Sequence, residues 1–477
     1  PASGLRADLY ELTMMNGYLR SGLAERRVLF DLFVRSIPEQ GGYLVAAGLG
    51  DAVRFMQEVR FGPEEIAYLR SLELFDEDFL DRLARFRFTG DLDAVPEGAL
   101  VFPMEPILRV RAPLIEAQFF ESALLNLINF QTLIATKAAR ICQEAGEDNV
   151  IEFGMRRAHG VDGALSATRA AYVGGVESTS NVEAGQRLGL PVRGTQAHSW
   201  IMAFDDELTA FRTYAEQYPQ ACILLVDTYD TLRRGLPNAI RVGRELKRKG
   251  RKLHGIRLDS GDLAYLSIKA RAMLDEAGLQ ETQIVASGDL DEWIIHDLRV
   301  QGARIDVWGV GTRLVTSYNE PALSGVYKLA AMESEGGWVP RIKISEGAKG
   351  TLPGAKQIWR LIGENGWFEG DIIAEEGEII EPRPAPVGHH PQIEYEKKTY
   401  EGIGHCIPLL EPMIASGETA SSPPSLADAR RRLREQLGHL HPTSRRLLNP
   451  HIYKVSISKR MLAMRQTLRE QMGAGEA

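Results

Sequence analysis

The chain has 477 residues, 44% apolar and 25% charged, which is globular composition for roughly two or three domains and excludes a disordered chain, a collagen-like rod or a coiled coil. Its 56 Lys and Arg against 64 Asp and Glu leave a net charge of −8, which argues against a nucleic-acid partner and suits a soluble protein with local basic sites. Cys142, Cys222 and Cys406 are scattered and odd in number. They make neither a disulfide framework nor a zinc site, so a reducing, cytoplasmic setting is expected. PASGLRADLYELT has no apolar h-region, so no signal peptide is expected. Apolar runs such as ACILLV at 221–226 are too short to span a bilayer.

In chain order, DLYELTMMNGYL from residue 8 has helical spacing and VLFDLFVRS alternates as a strand. Residues 43–85 read as two helical segments, and 86–111 as strands broken by prolines. Strands and helices do not alternate here, so an α+β domain is expected over 1–125. A helical stretch at 114–145 follows. From 126 to 318 the pattern changes to short apolar strands, each followed by a helix. The strands are VIEFG, GVEST, VRGT, CILLVDT, LHGIRLD, QIVASGD and IDVWGVG. That repeat predicts parallel βαβ units, enough of them to close an α/β barrel. Residues 319–415 return to strands and are expected to rejoin the α+β domain. ASGETASSPPS at 415–425 reads as a linker. Beyond it, 426–477 reads as a basic, solvated helical tail.

Function in such a barrel sits at the C-terminal strand ends. There the sequence places Asp227 and Asp230, Arg257 and Asp259, Gly288 and Asp289, Thr312 and Arg313, His198, and Arg156 with Arg157. Any one of these could be an ion pair or a helix cap; Asp259-Ser260 and Asp289 are candidates for caps. Six strands delivering carboxylates, arginines and hydroxyls to one rim point instead to a shared site. Gly309-Val-Gly-Thr312 reads either as a simple turn or as a phosphate cradle. It is neither a Walker loop nor a dinucleotide fingerprint. Together these groups suit a substrate carrying phosphate, diphosphate and Mg²⁺.

The blocks DLYELTMMNGY, FDLFVRSIPEQGGYLVAAGL, EFGMRRAHG, STSNVEAG, GTQAHSW, IRLDSGDL, ASGDLDE, VGTRLVTS and LLNPHIYKVSIS, in that order, resemble the nicotinate phosphoribosyltransferases. The resemblance implies a type II phosphoribosyltransferase fold: an irregular α/β barrel with an α+β companion domain and, here, a small C-terminal helical tail. It implies formation of nicotinate mononucleotide from nicotinate and phosphoribosyl diphosphate in NAD salvage, with Mg²⁺ and with ATP as co-substrate, in a homodimer with shared active sites. His198 resembles the histidine that ATP phosphorylates, and Asp259 and Asp289 join it as catalytic residues. Arg257 and Thr195 would meet the nicotinate carboxylate. Phe153, and Tyr10 of the partner subunit, would sandwich the ring. Ser180 stands where the related nicotinamide enzymes carry an aspartate, which favours nicotinate. Asp259, Gly288, Asp289, Gly311 and Thr312 would hold the ribose hydroxyls and 5-phosphate. Arg156, with Arg35 and Lys328 of the partner subunit, would face diphosphate or ATP.

Three rivals stay open on sequence: a nicotinamide phosphoribosyltransferase, against which Ser180 counts; another barrel enzyme, such as an aldolase, for which no Schiff-base lysine stands out; and a catalytically silent barrel acting as a scaffold.

Overall fold

In the computed structural model, which describes residues 2–343, 350–393 and 395–473, the alternating run at 28–34 forms the strand Arg27–Val34. It is buried on both faces rather than one, because core packs on both sides of it: Val28, Phe30, Leu32 and Val34 belong to one hydrophobic cluster and Leu29 to another. Its seven-stranded sheet runs, in order, Gly337–Pro340, Gly325–Ser334, Arg27–Val34, Pro106–Pro113, Asp91–Ala94, Glu411–Ala415 and Glu418–Thr419. Its pairings are antiparallel. The chain divides into two compact units, residues 1–133 with 322–477, and residues 134–321.

In the first unit the helix Leu9–Arg20 opens on a capping box, in which Asp8 N donates to Glu11 Oε2 at 2.9 Å. The two segments expected over 43–85 are three helices: Leu49–Glu58, Pro63–Ser71 and Glu77–Ala84. Pro63 begins the second, and Asp76 caps the third by accepting from Phe79 N. Their apolar faces pack into a phenylalanine-rich core that includes Phe55, Phe61, Phe79, Phe86, Phe119 and Phe120.

A second sheet of this unit orders Lys397–Thr399, Val387–His389, Val455–Ile457, Phe368–Glu375, Lys356–Gly363 and Ile403–Pro408. Two expectations change here. The segment 415–425 is not wholly a linker: Glu411–Ala415 and Glu418–Thr419 form a hairpin, turned through Ser416 and Gly417 at positive φ. Ser416 N also donates to Asp91 Oδ1 at 2.8 Å. Nor is 426–477 a solvated helical tail. Besides the helices Leu426–His439 and Lys459–Gly473 it carries the strand Val455–Ile457, parallel to Phe368–Glu375. Arg432 donates to the carbonyl of Glu97 and Arg465 is buried. The basic run is therefore partly spent inside the fold.

The second unit holds a six-stranded parallel sheet, in the order Ser178–Thr179, Asn149–Glu152, Val307–Val310, Gln283–Ala286, Gly255–Leu258 and Ile223–Leu225. The expected strand at 192–195 does not form, since Pro191 cannot donate and Gly194 favours a turn. That segment still spans the gap between the edge strands. Val192 bridges Thr179 in parallel, and Gln196 Nε2 donates to the carbonyl of Ile223 at 3.0 Å. This substitute for a strand makes the barrel irregular. Among the described residues, no helix is long and apolar enough to cross a membrane.

Candidate functional site

Three parallel strands set the centre of the site. Gly255–Leu258 carries Arg257 on its barrel-facing side and hands the chain to Asp259. Its neighbour Gln283–Ala286 is followed by Ser287. Arg257 spreads its guanidinium over four acceptors. Nε donates to Ser287 Oγ at 2.8 Å and Nη2 to Asp259 Oδ1 at 2.7 Å. Nη1 donates to Thr195 Oγ1 at 2.9 Å and to the carbonyl of Gln196 at 3.2 Å. The same guanidinium lies 5.5 Å from the centre of the Phe153 ring, within cation–π range. Ser287 Oγ in turn donates to Asp259 Oδ1 at 2.5 Å. Partial burial raises the Asp259 carboxyl, but the Ser287 hydroxyl and the Arg257 guanidinium outweigh it, so the net shift is downward.

The third strand, Ile223–Leu225, leads to Asp227. Its side chain is almost fully buried, and Oδ2 accepts from Asp259 N at 2.9 Å and Ser260 Oγ at 2.7 Å. Asp227 thus pins the loop that carries Asp259. His198 starts the short helix His198–Met202; its Nδ1 lies 3.1 Å from Thr228 Oγ1. Nε2 faces two carboxylates, Asp259 Oδ2 at 3.7 Å and Asp227 Oδ1 at 3.9 Å. Asp227 Oδ1 is buried and accepts no hydrogen bond. Neither Asp259 nor Asp289 caps a helix; Asp262 and Asp291 do, accepting from Tyr265 N and Ile294 N. The capping alternative therefore fails for both residues singled out from the sequence.

A cleft of about 650 Å³ is lined by Phe153, Arg156, Ser180, Thr195, His198, Arg257 and Asp259. Seven of the residues expected from sequence thus share one cavity. The glycine motifs stand behind it. A Cβ on Gly309 would come within 2.6 Å of the Phe153 ring, so this glycine makes room for the ring. Gly311 packs on the Phe153 carbonyl, where a Cβ would lie at 3.1 Å, and Thr312 opens the next helix. Gly288, at φ +105°, lies on the backbone of Asp259: a Cβ there would be 2.5 Å from its carbonyl oxygen. Asp289 follows at φ +49° and is exposed. Two successive residues at positive φ beside the Asp259 loop mark backbone held under constraint.

The remaining candidates lie in the first unit. Tyr10 is exposed on the helix Leu9–Arg20. Lys328 Nζ is 3.6 Å from Glu121, and Arg35 follows the strand Arg27–Val34. Sequence reasoning missed Ser287 and the anchoring role of Asp227. It also missed Glu152, a buried carboxylate that accepts from Thr168 Oγ1 at 2.9 Å, Thr179 Oγ1 at 2.6 Å and Gly154 N, fixing the turn that carries Phe153. Ser287 stands in ASGDLDE, directly after a strand; that position was its signal.

Comparison with known proteins gives the same assignment along the whole chain. The N-terminal domain of nicotinate phosphoribosyltransferase matches residues 5–129, the nicotinate phosphoribosyltransferase family model residues 149–349, and the C-terminal domain residues 355–465. A nicotinate phosphoribosyltransferase of Bacillus subtilis is 46% identical over 459 residues, covering 95% of this chain and 93% of that protein. One of Mycobacterium tuberculosis is 40% identical over 467 residues, covering 98% and 94%. The crystal structure of human nicotinic acid phosphoribosyltransferase superposes with a TM-score of 0.87 at 33% identity, covering 97% of this chain and 99% of that one. With its barrel rim, its cleft and three consecutive domain matches in agreement, the chain belongs to the nicotinate phosphoribosyltransferase family of enzymes.

Proposed function

We propose that this chain joins nicotinate to phosphoribosyl diphosphate, giving nicotinate mononucleotide and diphosphate for NAD salvage, with ATP hydrolysis coupled through a phosphohistidine at His198. The observation that carries the substrate choice is Arg257, a cation placed over the Phe153 ring and beside Thr195 at the wall of the cleft. A flat ring bearing a carboxylate answers both features: Phe153 takes a face, and Arg257 with Thr195 takes the anion. Ser180, on the same wall, can donate to a carboxylate. An aspartate there would repel it, so nicotinamide is the poorer substrate.

In the transfer step the pyridine nitrogen lone pair forms the bond to ribose C1 while the bond from C1 to the diphosphate oxygen breaks, and the electron pair leaves with diphosphate. The attacking nitrogen carries no hydrogen, so no general base is needed. Catalysis then rests on holding the ring against C1 and on neutralising the leaving group. Asp259, with Gly288, Asp289, Gly311 and Thr312, would hold the ribose hydroxyls and 5-phosphate; Arg156 would face the diphosphate. Tyr10, Arg35 and Lys328 are assigned to the neighbouring active site of a homodimer. Among the described residues, no group of three or more His, Cys, Asp and Glu is arranged to hold a metal. Asp259 and Asp227 would hold Mg²⁺ together with the diphosphate, and the ion would supply neutralising charge. His198 offers Nε2 to the cleft while Nδ1 engages Thr228. Phosphorylation there adds up to two negative charges beside Asp227 and Asp259, which ties ATP hydrolysis to the charge state of the site. A cytoplasmic setting is part of the same proposal.

A coupled assay for nicotinate mononucleotide, run with and without ATP, tests this reading; nicotinate should be used far better than nicotinamide. His198→Ala should keep some ATP-independent transfer and lose the stimulation. ATP-stimulated turnover at the wild-type level in that variant would remove His198 from its role.

A further inference from the structure

The block LLNPHIYKVSIS at 447–458 has no part in the chemistry above. It lines a separate cleft of about 470 Å³ in the first unit, to which His451 and Lys454 contribute together with Trp367, Glu369, Lys398 and His441. The charge in this cleft is unbalanced. Among the described residues that line it, two ammonium groups face a single carboxylate, Glu369, and Lys398 Nζ donates to the Glu369 backbone carbonyl at 3.3 Å. Lys398 also lies over the Tyr400 ring, at 4.4 Å. Its ammonium is held below its ordinary value, first by burial and then, against the pull of Glu369, by the like charge of Lys454. Like charges gathered at one cleft repel, and an anion placed between them relieves that repulsion. The anchoring is rigid: Tyr453 stacks on Phe102 at 3.8 Å and donates to Asp371 at 2.9 Å, while Asp371 N donates to the Lys454 carbonyl. Thr443 N and Oγ1 both engage His441 Nδ1, and Trp367 sets its indole against the His441 ring, 5.4 Å between centroids.

We propose that this cleft is a second binding site, for a nucleoside phosphate. Lys398 and Lys454 take the phosphate, with His441 and His451 beside them, and Trp367 provides an aromatic wall for the base. The site is built from residues other than those assigned to transfer and does not depend on their roles. A mononucleotide such as AMP and a dinucleotide such as NAD share the required chemistry, and the experiment separates them.

The test is isothermal titration of the full chain with AMP, NAD and inorganic phosphate in turn. An Arg156→Ala background weakens phosphate binding at the barrel. At least one of the two nucleotides should bind this variant more tightly than phosphate does, and the tighter one identifies the source. Adding Lys398→Gln and Lys454→Gln should weaken that binding at least tenfold, while Lys398→Arg with Lys454→Arg should retain it, which separates loss of charge from loss of fold. Absence of heat with all three probes, binding unchanged by the glutamine pair, or binding lost with Arg156→Ala alone would each overturn the proposal. None of these outcomes bears on nicotinate turnover.

Discussion

Arg257 in the barrel unit and Arg360 in the other unit are built alike and used in opposite ways. Arg360 donates through Nε and Nη2 to both oxygens of Asp371, at 3.1 and 2.7 Å, through Nη1 to Gln436 at 3.2 Å, and through Nη2 to the Leu100 carbonyl at 2.9 Å. It lies between the rings of Phe102 and Phe368, with no exposed surface on either partner of the ion pair. Arg257 has a comparable kit: a carboxylate, a hydroxyl pair in place of the amide, a carbonyl and one aromatic face in place of two. Its side chain keeps 13% exposure, at the wall of a 650 Å³ cleft. A guanidinium enclosed on all sides is structural; the same group left open on one side is available to a ligand. Burial, rather than pairing, separates the two.

The largest effect expected from this contrast is on stability. Arg360→Met leaves Asp371 charged and buried without its partner, which costs about 3–5 kcal/mol. A urea unfolding midpoint should fall accordingly, while kcat/KM of the folded fraction stays near wild type. Arg257→Ala should reverse the pattern. Its loss in kcat/KM for nicotinate should be about 10²-fold or more, and its unfolding midpoint should move less than that of Arg360→Met. If Arg257→Ala proves the more destabilising of the two, the open guanidinium is a structural one and the substrate role assigned to it falls.

A smaller, more local pair of substitutions sharpens the same division. Gly309→Ala puts a methyl group 2.6 Å from the Phe153 ring. The ring must move, and misplacing the ring proposed to hold the substrate should cost roughly ten- to a hundredfold in kcat/KM. Gly48, at φ +94°, lies in the first unit with a would-be Cβ 2.6 Å from the Leu127 carbonyl. Gly48→Ala should therefore cost stability, on the order of 1–3 kcal/mol, and leave the KM for nicotinate unchanged. Equal effects on KM would remove Phe153 from the ring site.

The convergence on one rim was legible because successive strands of a parallel barrel end on the same side, so Arg257, Asp259 and His198 could be placed together from order alone. The role of Gly309 was not. A glycine that admits a phosphate and one that admits a phenylalanine ring read the same in one dimension, and only the would-be Cβ contact separates them. Asp227 was seen at the rim but its work was hidden, because it acts on a backbone N–H, that of Asp259, which carries no sequence signature. The basic run at 426–470 misled for a related reason: Arg432 and Arg465 spend their charge on carbonyls and in buried positions that charge counting cannot detect.

The smallest expected effect is a difference in sign between the two regions. Asp259 in the barrel has its carboxyl lowered from the usual 3.8. Its stabilising contribution is present above that value and is lost as pH falls through the lower, folded one. Glu105 in the first unit is the opposite case: burial, and then the neighbouring Asp371, raise its carboxyl well above 4.5. Its contribution is present below pH 4.5 and declines as pH rises toward the folded value. Asp259→Asn should therefore lie furthest below wild type in unfolding midpoint at neutral pH and approach it below about pH 3.8. Glu105→Gln, which keeps a donor toward Asp371 at every pH, should gain on wild type as pH rises past 4.5. Urea titrations at several pH values measure both slopes. Slopes of the same sign would mean that Asp259, like Glu105, is held by burial rather than by Ser287 and Arg257, and the barrel carboxylate would then be unavailable as an anion at the site.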